Sequence, residues 1–113
     1  VSAPFHCSLM NNATKIMSME LNKLDFKQSQ NKLISNVTAE EIENTDELKK
    51  LLIKQIENRV RWRESVINMI NSGVNQFIEI GPGKVLSGLV KRINKDIKIN
   101  TINNDSDIKE LKI

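Results

Sequence analysis

The chain of 113 residues contains a single histidine, His6, and this side chain is its clearest candidate for chemistry. An imidazole takes up and returns a proton near neutral pH more readily than other side chains, as general acid–base catalysis requires. His6 follows a short apolar run that ends at Pro4-Phe5 and precedes an apolar pattern of helical spacing. We therefore expect it in the turn between a strand and a helix, where catalytic side chains are common. The alternative is a histidine that is only capped or buried.

Two other groups of residues are weaker candidates for a chemical role. Cys7 is not expected to form a thiolate–imidazole pair with His6, because adjacent side chains usually point in different directions. Gly81-Pro82-Gly83-Lys84 is similar in composition to a phosphate-binding loop, but that pattern requires a Ser or Thr after the lysine, and Val85 follows here. These glycines therefore indicate a tight strand-to-helix turn, and the N-terminus of the helix would bind an anion only weakly.

The composition excludes several classes of function. One cysteine permits no internal disulfide and, together with one histidine, no Cys/His metal cluster. We therefore predict no metal, no cofactor and a cytoplasmic location. A net charge of +3 and an aromatic content of 4% give no stacking surface for nucleic acid. No apolar stretch approaches the ~20 residues that a membrane span requires.

Hydrophobic periodicity predicts alternating helices and strands around these residues. Strands that are separated by helices favour an α/β fold with parallel strands. The sequence begins at Val1 within what looks like a strand, so we expect a fragment of a larger protein. The predicted helices cover 8–24, about 45–56, 60–72, 84–93 and a short tail after 106, and the predicted strands cover 33–37, 74–80 and 97–102.

Four blocks of sequence carry a resemblance to a known family. They read P-F-H-C-S-L-M, S-N-V-T-A, I-K-Q-I-E-N-R-V-R-W-R-E-S-V and I-E-I-G-P-G-K-V-L-S-G-L-V-K-R-I. In this order and spacing they resemble the C-terminal part of the malonyl-CoA:acyl carrier protein transacylases, from Val1 to about Ile93. The resemblance implies that residues 1–113 form the C-terminal portion of an α/β-hydrolase-like acyltransferase large domain, with short parallel strands and helices. The family's serine elbow, G-H-S-L-G, and its ferredoxin-like insertion are absent from this chain.

The resemblance also implies roles for three residues. His6 falls on the family's catalytic histidine, which accepts the serine proton during attack on malonyl-CoA and then activates the carrier-protein thiol. A backbone carbonyl, by position that of Gln55, orients the ring in place of the aspartate of a Ser-His-Asp triad. Phe5, directly before the histidine, implies a preference for malonyl over methylmalonyl. The oxyanion donors and the arginine for the malonyl carboxylate belong to the part of the family that is not matched.

The implied partners are malonyl-CoA, acyl carrier protein and the N-terminal part of the enzyme, with no nucleic acid and no membrane. Carrier proteins are acidic, so Lys84, Lys91 and Arg92 could form a docking surface, although a solvated helix face explains them equally well. We expect this chain alone to be inactive, because a base without the serine has nothing to deprotonate. Three hypotheses remain: a fragment of a working transacylase of fatty acid biosynthesis, a split or truncated product that must find its other half, and an inactive remnant that binds acyl carrier protein.

Overall fold

The computed structural model describes residues 3–112 and divides the chain into two compact units, Val1–Ser65 and Val66–Ile113. Helices dominate the first unit, and the second unit contains the strands. In chain order the elements are a 3₁₀ helix at Ser8–Met10, α1 at Asn11–Asn22, α2 at Thr45–Lys54, α3 at Trp62–Asn71, β1 at Gln76–Ile80, α4 at Val85–Ile93, β2 at Lys98–Ile102 and α5 at Asp105–Glu110.

In the first unit α1 packs against α2. Helix α2 begins after Asn44, whose side chain accepts a hydrogen bond from the Glu47 N–H at 2.9 Å. This cap satisfies one of the free N–H groups of the first turn, and the acidic residues there complement the helix dipole. The Lys49 ammonium donates to the Leu24 carbonyl at 3.1 Å and lies 5.3 Å from the centre of the Phe26 ring. These contacts connect α2 to the segment that follows α1.

The prediction of a strand at 33–37 is wrong, because this segment forms a turn. Only an isolated antiparallel bridge, Ile34 to Glu41, is present in the segment. The Ser35 carbonyl accepts from the Ala39 N–H at 2.9 Å, and the Ser35 hydroxyl accepts from two backbone N–H groups of the same turn. A serine that satisfies nearby backbone donors competes with a strand ladder. The apolar run therefore turns back on itself, with Ala39 fully buried at φ 61°.

The structure of the second unit confirms the prediction of parallel strands. Strands β1 and β2 pair in parallel from Gln76↔Lys98 to Ile80↔Ile102, and α4 connects them. Val90 of α4 and Ile97 before β2 are buried. The strands begin one or two residues later than their hydrophobic patterns predict, which is the usual uncertainty at the end of an element.

The remaining helices agree with their predicted positions. The pattern over 8–24 corresponds to the 3₁₀ helix followed by α1, and the tail pattern corresponds to α5. Asn104 caps α5 in a capping box with Asp107, because each side chain accepts from the backbone N–H of the other. No helix within residues 3–112 is long and apolar enough to cross a membrane.

Candidate active site

His6 lies in the bend directly before the 3₁₀ helix, with its backbone in the left-handed region at φ 56°. This conformation costs a residue other than glycine about 1–2 kcal/mol, and such strain is found most often at functional sites. The neighbouring Cys7 thiol donates to the Pro4 carbonyl at 3.2 Å. His6 is exposed, so it is not a histidine of the core.

The strand predicted before the histidine falls partly on Val1 and Ser2, which lie outside the described residues. Residues 3–5 are not in a strand. Instead, the Phe5 N–H donates to the Ala3 carbonyl at 2.9 Å across Pro4, which has no N–H to offer a strand ladder.

The His6 Nδ1 atom lies 2.7 Å from the Gln55 carbonyl oxygen. A carbonyl can only accept, so this hydrogen bond requires that Nδ1 carry the proton. The Nε2 lone pair of the neutral ring is then available to accept another proton. The contact therefore holds the imidazole in the tautomer that a general base needs, with Nε2 as the basic atom.

Gln55 occupies the C-cap position of α2, and its own N–H donates to the Leu51 carbonyl at 3.0 Å. The last carbonyls of a helix have no intrahelical partner, and they carry the negative end of the helix dipole. The carbonyl that faces His6 is one of this group. Its position is favourable for the positive charge that an imidazole carries while it holds a second proton.

The chain leaves α2 by a turn around the Lys54 carbonyl. This oxygen accepts from the Glu57 N–H at 3.3 Å, from the Asn58 N–H at 3.2 Å and from the Asn58 side-chain amide at 2.6 Å. In a continuing helix the N–H of Arg59 would bond to the Gln55 carbonyl. Because α2 ends at Lys54, the Gln55 carbonyl faces the His6 ring instead.

Arg61 attaches the chain to the Ser35 turn after it leaves α2. Its N–H donates to the Asn36 carbonyl at 2.8 Å, and its guanidinium donates to the Thr38 carbonyl at 3.2 Å. The sequence alone gives no sign of this role, because arginines that alternate with other residues are typical of a solvated surface. Its acceptors are backbone carbonyls far along the chain, which no sequence pattern reveals.

Phe5 and Gln55 are also placed where a bound molecule could contact them. Phe5 is adjacent to His6 and is 56% exposed. Gln55 lines a groove of about 130 Å³ together with Asn36 and Leu51. This groove is smaller than the ~300–1,000 Å³ of typical small-molecule sites. Among residues 3–112 no group of three or more His, Cys, Asp or Glu side chains is arranged to hold a metal ion.

The three basic residues predicted to dock a carrier protein all belong to α4 or its cap. Lys84 is the N-cap residue, and Lys91 and Arg92 lie in the last turn. The Lys91 ammonium donates to the carbonyls of Lys95 and Ile97 at 3.0 and 2.7 Å, so it also closes the end of the helix. Lys84 and Lys91 are seven residues apart and lie at opposite ends of α4.

Glu79 of β1 makes contacts that the sequence interpretation did not identify. Its carboxylate accepts from the Ser87 hydroxyl at 2.6 Å, from the Ser87 N–H at 2.8 Å and from the Leu86 N–H at 3.2 Å. The bonds from Ser87, with that from Leu86, lower the pKa of Glu79 below its ordinary value. Gly81 and Gly83, at φ 134° and 91°, form the turn between β1 and α4, which confirms the structural interpretation of the Gly-Pro-Gly segment. The sequence feature that could have identified Glu79 is a single carboxylate within an apolar strand that precedes a helix.

Comparison with known proteins shows what this chain is similar to. No protein-family model matches the sequence. The malonyl CoA-acyl carrier protein transacylase of Bacillus subtilis (strain 168) is 45% identical over 98 residues, which are 87% of this chain and 31% of the relative. The crystal structure of an acyl-carrier-protein-S-malonyltransferase from Bartonella henselae matches with a TM-score of 0.91 and 41% identity, over 97% of this chain and 35% of that one. A malonyl-transacylase in complex with its type II PKS acyl-carrier protein matches with a TM-score of 0.89 and 34% identity, over 96% of this chain and 35% of that one.

These matches define the fold as that of the α/β acyltransferases, of which the chain corresponds to the C-terminal part. More particularly, the chain is homologous to the malonyl CoA-acyl carrier protein transacylases, which confirms the resemblance of the four sequence blocks. The chain spans about a third of the length of the curated relatives it matches.

Proposed function

We propose that this chain supplies the general base of a malonyl CoA-acyl carrier protein transacylase, and that the base is His6. The observation that carries the proposal is the 2.7 Å contact between His6 Nδ1 and the Gln55 carbonyl. The contact occurs in a chain that is 38% identical to a Staphylococcus aureus transacylase, over 96% of this chain and 35% of the relative. Because Nδ1 of the ring donates to this carbonyl, Nε2 is available to take a proton. That is the role which the resemblance to this family implies for His6.

In the first half-reaction, Nε2 of His6 accepts the hydroxyl proton of a serine in the part of the enzyme that this chain does not span. The serine oxygen attacks the thioester carbonyl of malonyl-CoA, and the bond between that carbon and the CoA sulfur then breaks. The sulfur leaves with the proton from Nε2. A malonyl ester of the serine remains.

In the second half-reaction, the thiol of the acyl carrier protein gives its proton to Nε2 and its sulfur attacks the malonyl ester. The bond between the ester carbon and the serine oxygen breaks, and the serine oxygen recovers its proton from Nε2. The imidazole ends the cycle as it began, so the reaction needs no cofactor. The Gln55 carbonyl keeps the ring oriented throughout, as an aspartate does in a triad.

The proposed partners are malonyl-CoA and an acyl carrier protein. A homologous transacylase has been solved in complex with its acyl-carrier protein, which supports the second partner. Lys84, Lys91 and Arg92 give α4 and its cap a positive charge that is complementary to an acidic protein. Mutation of such surface charges chiefly changes the rate of association and its dependence on salt.

A second candidate function is binding without catalysis. The sequence contains no G-H-S-L-G motif, so the chain by itself has no nucleophile for His6 to activate. A remnant of this kind would bind the acyl carrier protein or a complementary half of the enzyme and would transfer no malonyl group.

Malonyl transfer from malonyl-CoA to acyl carrier protein tests the proposal. The chain is assayed alone and then mixed with a separately produced chain, the part of the Bacillus subtilis relative that it does not match. We expect no transfer by the chain alone and transfer by the mixture, which His6→Ala reduces by about a hundred- to ten-thousand-fold. Transfer that His6→Ala leaves unchanged would contradict the proposal. A soluble but inactive complex would favour the binding function.

A further inference from the structure

We propose that Asn58 is a positioning residue for His6, which it controls through the backbone of Gln55. The Asn58 side chain bonds to the Lys54 carbonyl where the chain leaves α2, and thereby keeps the Arg59 N–H from competing with the imidazole for the Gln55 carbonyl. The effect of Asn58 on the tautomer of the His6 ring depends only on residues of this chain. Only its consequence for malonyl transfer rests on the function proposed above.

The first step of the argument concerns the Lys54 carbonyl. The Asn58 side-chain amide donates to this oxygen at 2.6 Å, whereas the Asn58 N–H lies 3.2 Å from it and the Glu57 N–H lies 3.3 Å from it. The side-chain bond is therefore the shortest of the three. It fixes residue 58 against the last turn of α2, where the chain changes direction.

The second step concerns the alternative path of the chain. If α2 continued past Lys54, the N–H of Arg59 would bond to the Gln55 carbonyl and compete with His6 for this oxygen. Gln55 itself already has helical dihedral angles, φ −64° and ψ −18°, so the competing donor is what a longer helix would add. His6 Nδ1 would then lose its acceptor, which now lies 2.7 Å away.

The third step separates positioning from packing. Asn58 is exposed, so replacement of its side chain leaves no cavity in the core. A loss of hydrogen-bond donation is therefore the main effect of Asn58→Leu, which keeps a similar branched shape without the amide.

The chain itself supplies the design of a rescue variant. Ser72 lies directly after α3, and its hydroxyl donates to the Asn68 carbonyl at 2.8 Å. This bond joins a side chain at a helix end to the carbonyl four residues earlier, as Asn58 does with Lys54. Asn58→Ser should therefore restore the donor that Asn58→Leu removes. Ser72→Ala is a matched control, because it deletes such a bond at the end of α3.

The test follows the ring nitrogens of His6 by NMR. The chain is labelled with nitrogen-15 at histidine and mixed with the unlabelled remainder of the Bacillus subtilis relative, so that the one histidine of this chain gives the only ring signals. We expect the Nδ1–H tautomer in the unmodified chain, in Asn58→Ser and in Ser72→Ala. In Asn58→Leu we expect the Nε2–H tautomer to become the major form, with malonyl transfer reduced about five- to ten-fold.

Three results would overturn the proposal. The first is an Asn58→Leu chain that is folded and keeps the Nδ1–H tautomer. The second is an Asn58→Ser chain that loses this tautomer as fully as Asn58→Leu does. The third is unfolding of Asn58→Leu, seen by circular dichroism, because it would assign Asn58 to stability. Failure of the proposed function is recognised by a different result, namely malonyl transfer that His6→Ala leaves intact. This result does not depend on which tautomer the ring adopts.

Discussion

At His6, the backbone and the ring are both constrained. The backbone is in the left-handed region at φ 56°, and the Gln55 carbonyl holds Nδ1 at 2.7 Å. The ring is otherwise exposed. A strained backbone that is compensated by one specific hydrogen bond is typical of a side chain whose orientation serves chemistry.

Because the contact with His6 uses the backbone of Gln55, the Gln55 side chain should be dispensable. We expect Gln55→Ala to retain malonyl transfer within about three-fold in the mixture with the remainder of the relative, since alanine is a good helix former and keeps the carbonyl in place. Rates of transfer for Gln55→Ala and for the unmodified chain make the comparison. A loss as large as that of His6→Ala would show that the amide side chain, and not the carbonyl, serves the histidine.

Phe5 should influence the choice of acyl group. Replacement by serine makes room for one more methyl group, so Phe5→Ser should raise the ratio of methylmalonyl to malonyl transfer by about ten-fold, the effect of roughly one methylene in a pocket. The measurement is kcat/KM for the two CoA esters. Phe77→Ser serves as a control, because Phe77 lies in β1 of the second unit and is not adjacent to His6 in the sequence. An unchanged ratio in Phe5→Ser would remove Phe5 from the substrate site.

At the scale of elements, two helix ends hold charged or polar groups by hydrogen bonds. The C-terminal end of α2 presents the Gln55 carbonyl to His6, and the N-terminal end of α4 presents its N–H groups to Glu79. Both arrangements use the backbone groups that a helix leaves without partners at its ends. In α4 the carboxylate also complements the positive end of the dipole.

Glu79 should make the stability of the second unit depend on pH. Its pKa is lowered in the folded chain, so the unfolded state binds a proton more readily and the folded state is favoured by high pH. This stabilisation is complete above the unfolded-state pKa and is lost as pH falls through the folded-state pKa. The difference in free energy of unfolding between the unmodified chain and Glu79→Gln should therefore be largest near neutral pH and decrease on acidification.

Hydrogen exchange of the α4 amides, in the mixture with the remainder of the Bacillus subtilis relative, measures this difference at several pH values, with Glu110→Gln in α5 as a control. A difference between the unmodified chain and Glu79→Gln that stays constant from neutral to acidic pH would contradict the role given to the Glu79 carboxylate.

The elements also mark what a sequence pattern can and cannot predict. Periodic apolar positions predicted α4 and the parallel strands, because burial of one face requires that periodicity. The same reasoning failed at 33–37, where the Ser35 side chain satisfies the backbone and forms a turn. The resemblance suggested that Gln55 contacts His6. It did not suggest the bond from Asn58 to Lys54 or the bonds from Arg61, which depend on how the chain leaves α2.

At the scale of the whole molecule, large apolar side chains remain on the surface. No residue of α1 is buried, and Ile80 and Val85 are 78% and 74% exposed. The β1–β2 sheet has two strands, and a pair of this size is marginal without further packing. The exposed apolar side chains of the first unit include Leu9, Ile16, Met17, Met19, Leu24 and Leu33.

We therefore expect the isolated chain to aggregate or to be partly molten. Exposed apolar patches and open strand edges both promote association. Sedimentation should detect oligomers, and the near-ultraviolet circular dichroism of Trp62 should be weak. Addition of the remainder of the Bacillus subtilis relative should raise solubility and strengthen the Trp62 signal. A monomer that melts in one sharp cooperative transition would contradict this expectation.

The central claim is that His6 is the base of malonyl transfer, and a chimera tests it most directly. One chain is built from the unmatched part of the Bacillus subtilis relative followed by this sequence, so that activity does not depend on the association of two pieces. Transfer from malonyl-CoA to acyl carrier protein is measured for the chimera, for His6→Ala and for the adjacent control Cys7→Ala. We predict an active chimera, a loss of about a hundred- to ten-thousand-fold in His6→Ala and little change in Cys7→Ala. An active chimera in which His6→Ala is as fast as Cys7→Ala would contradict the account.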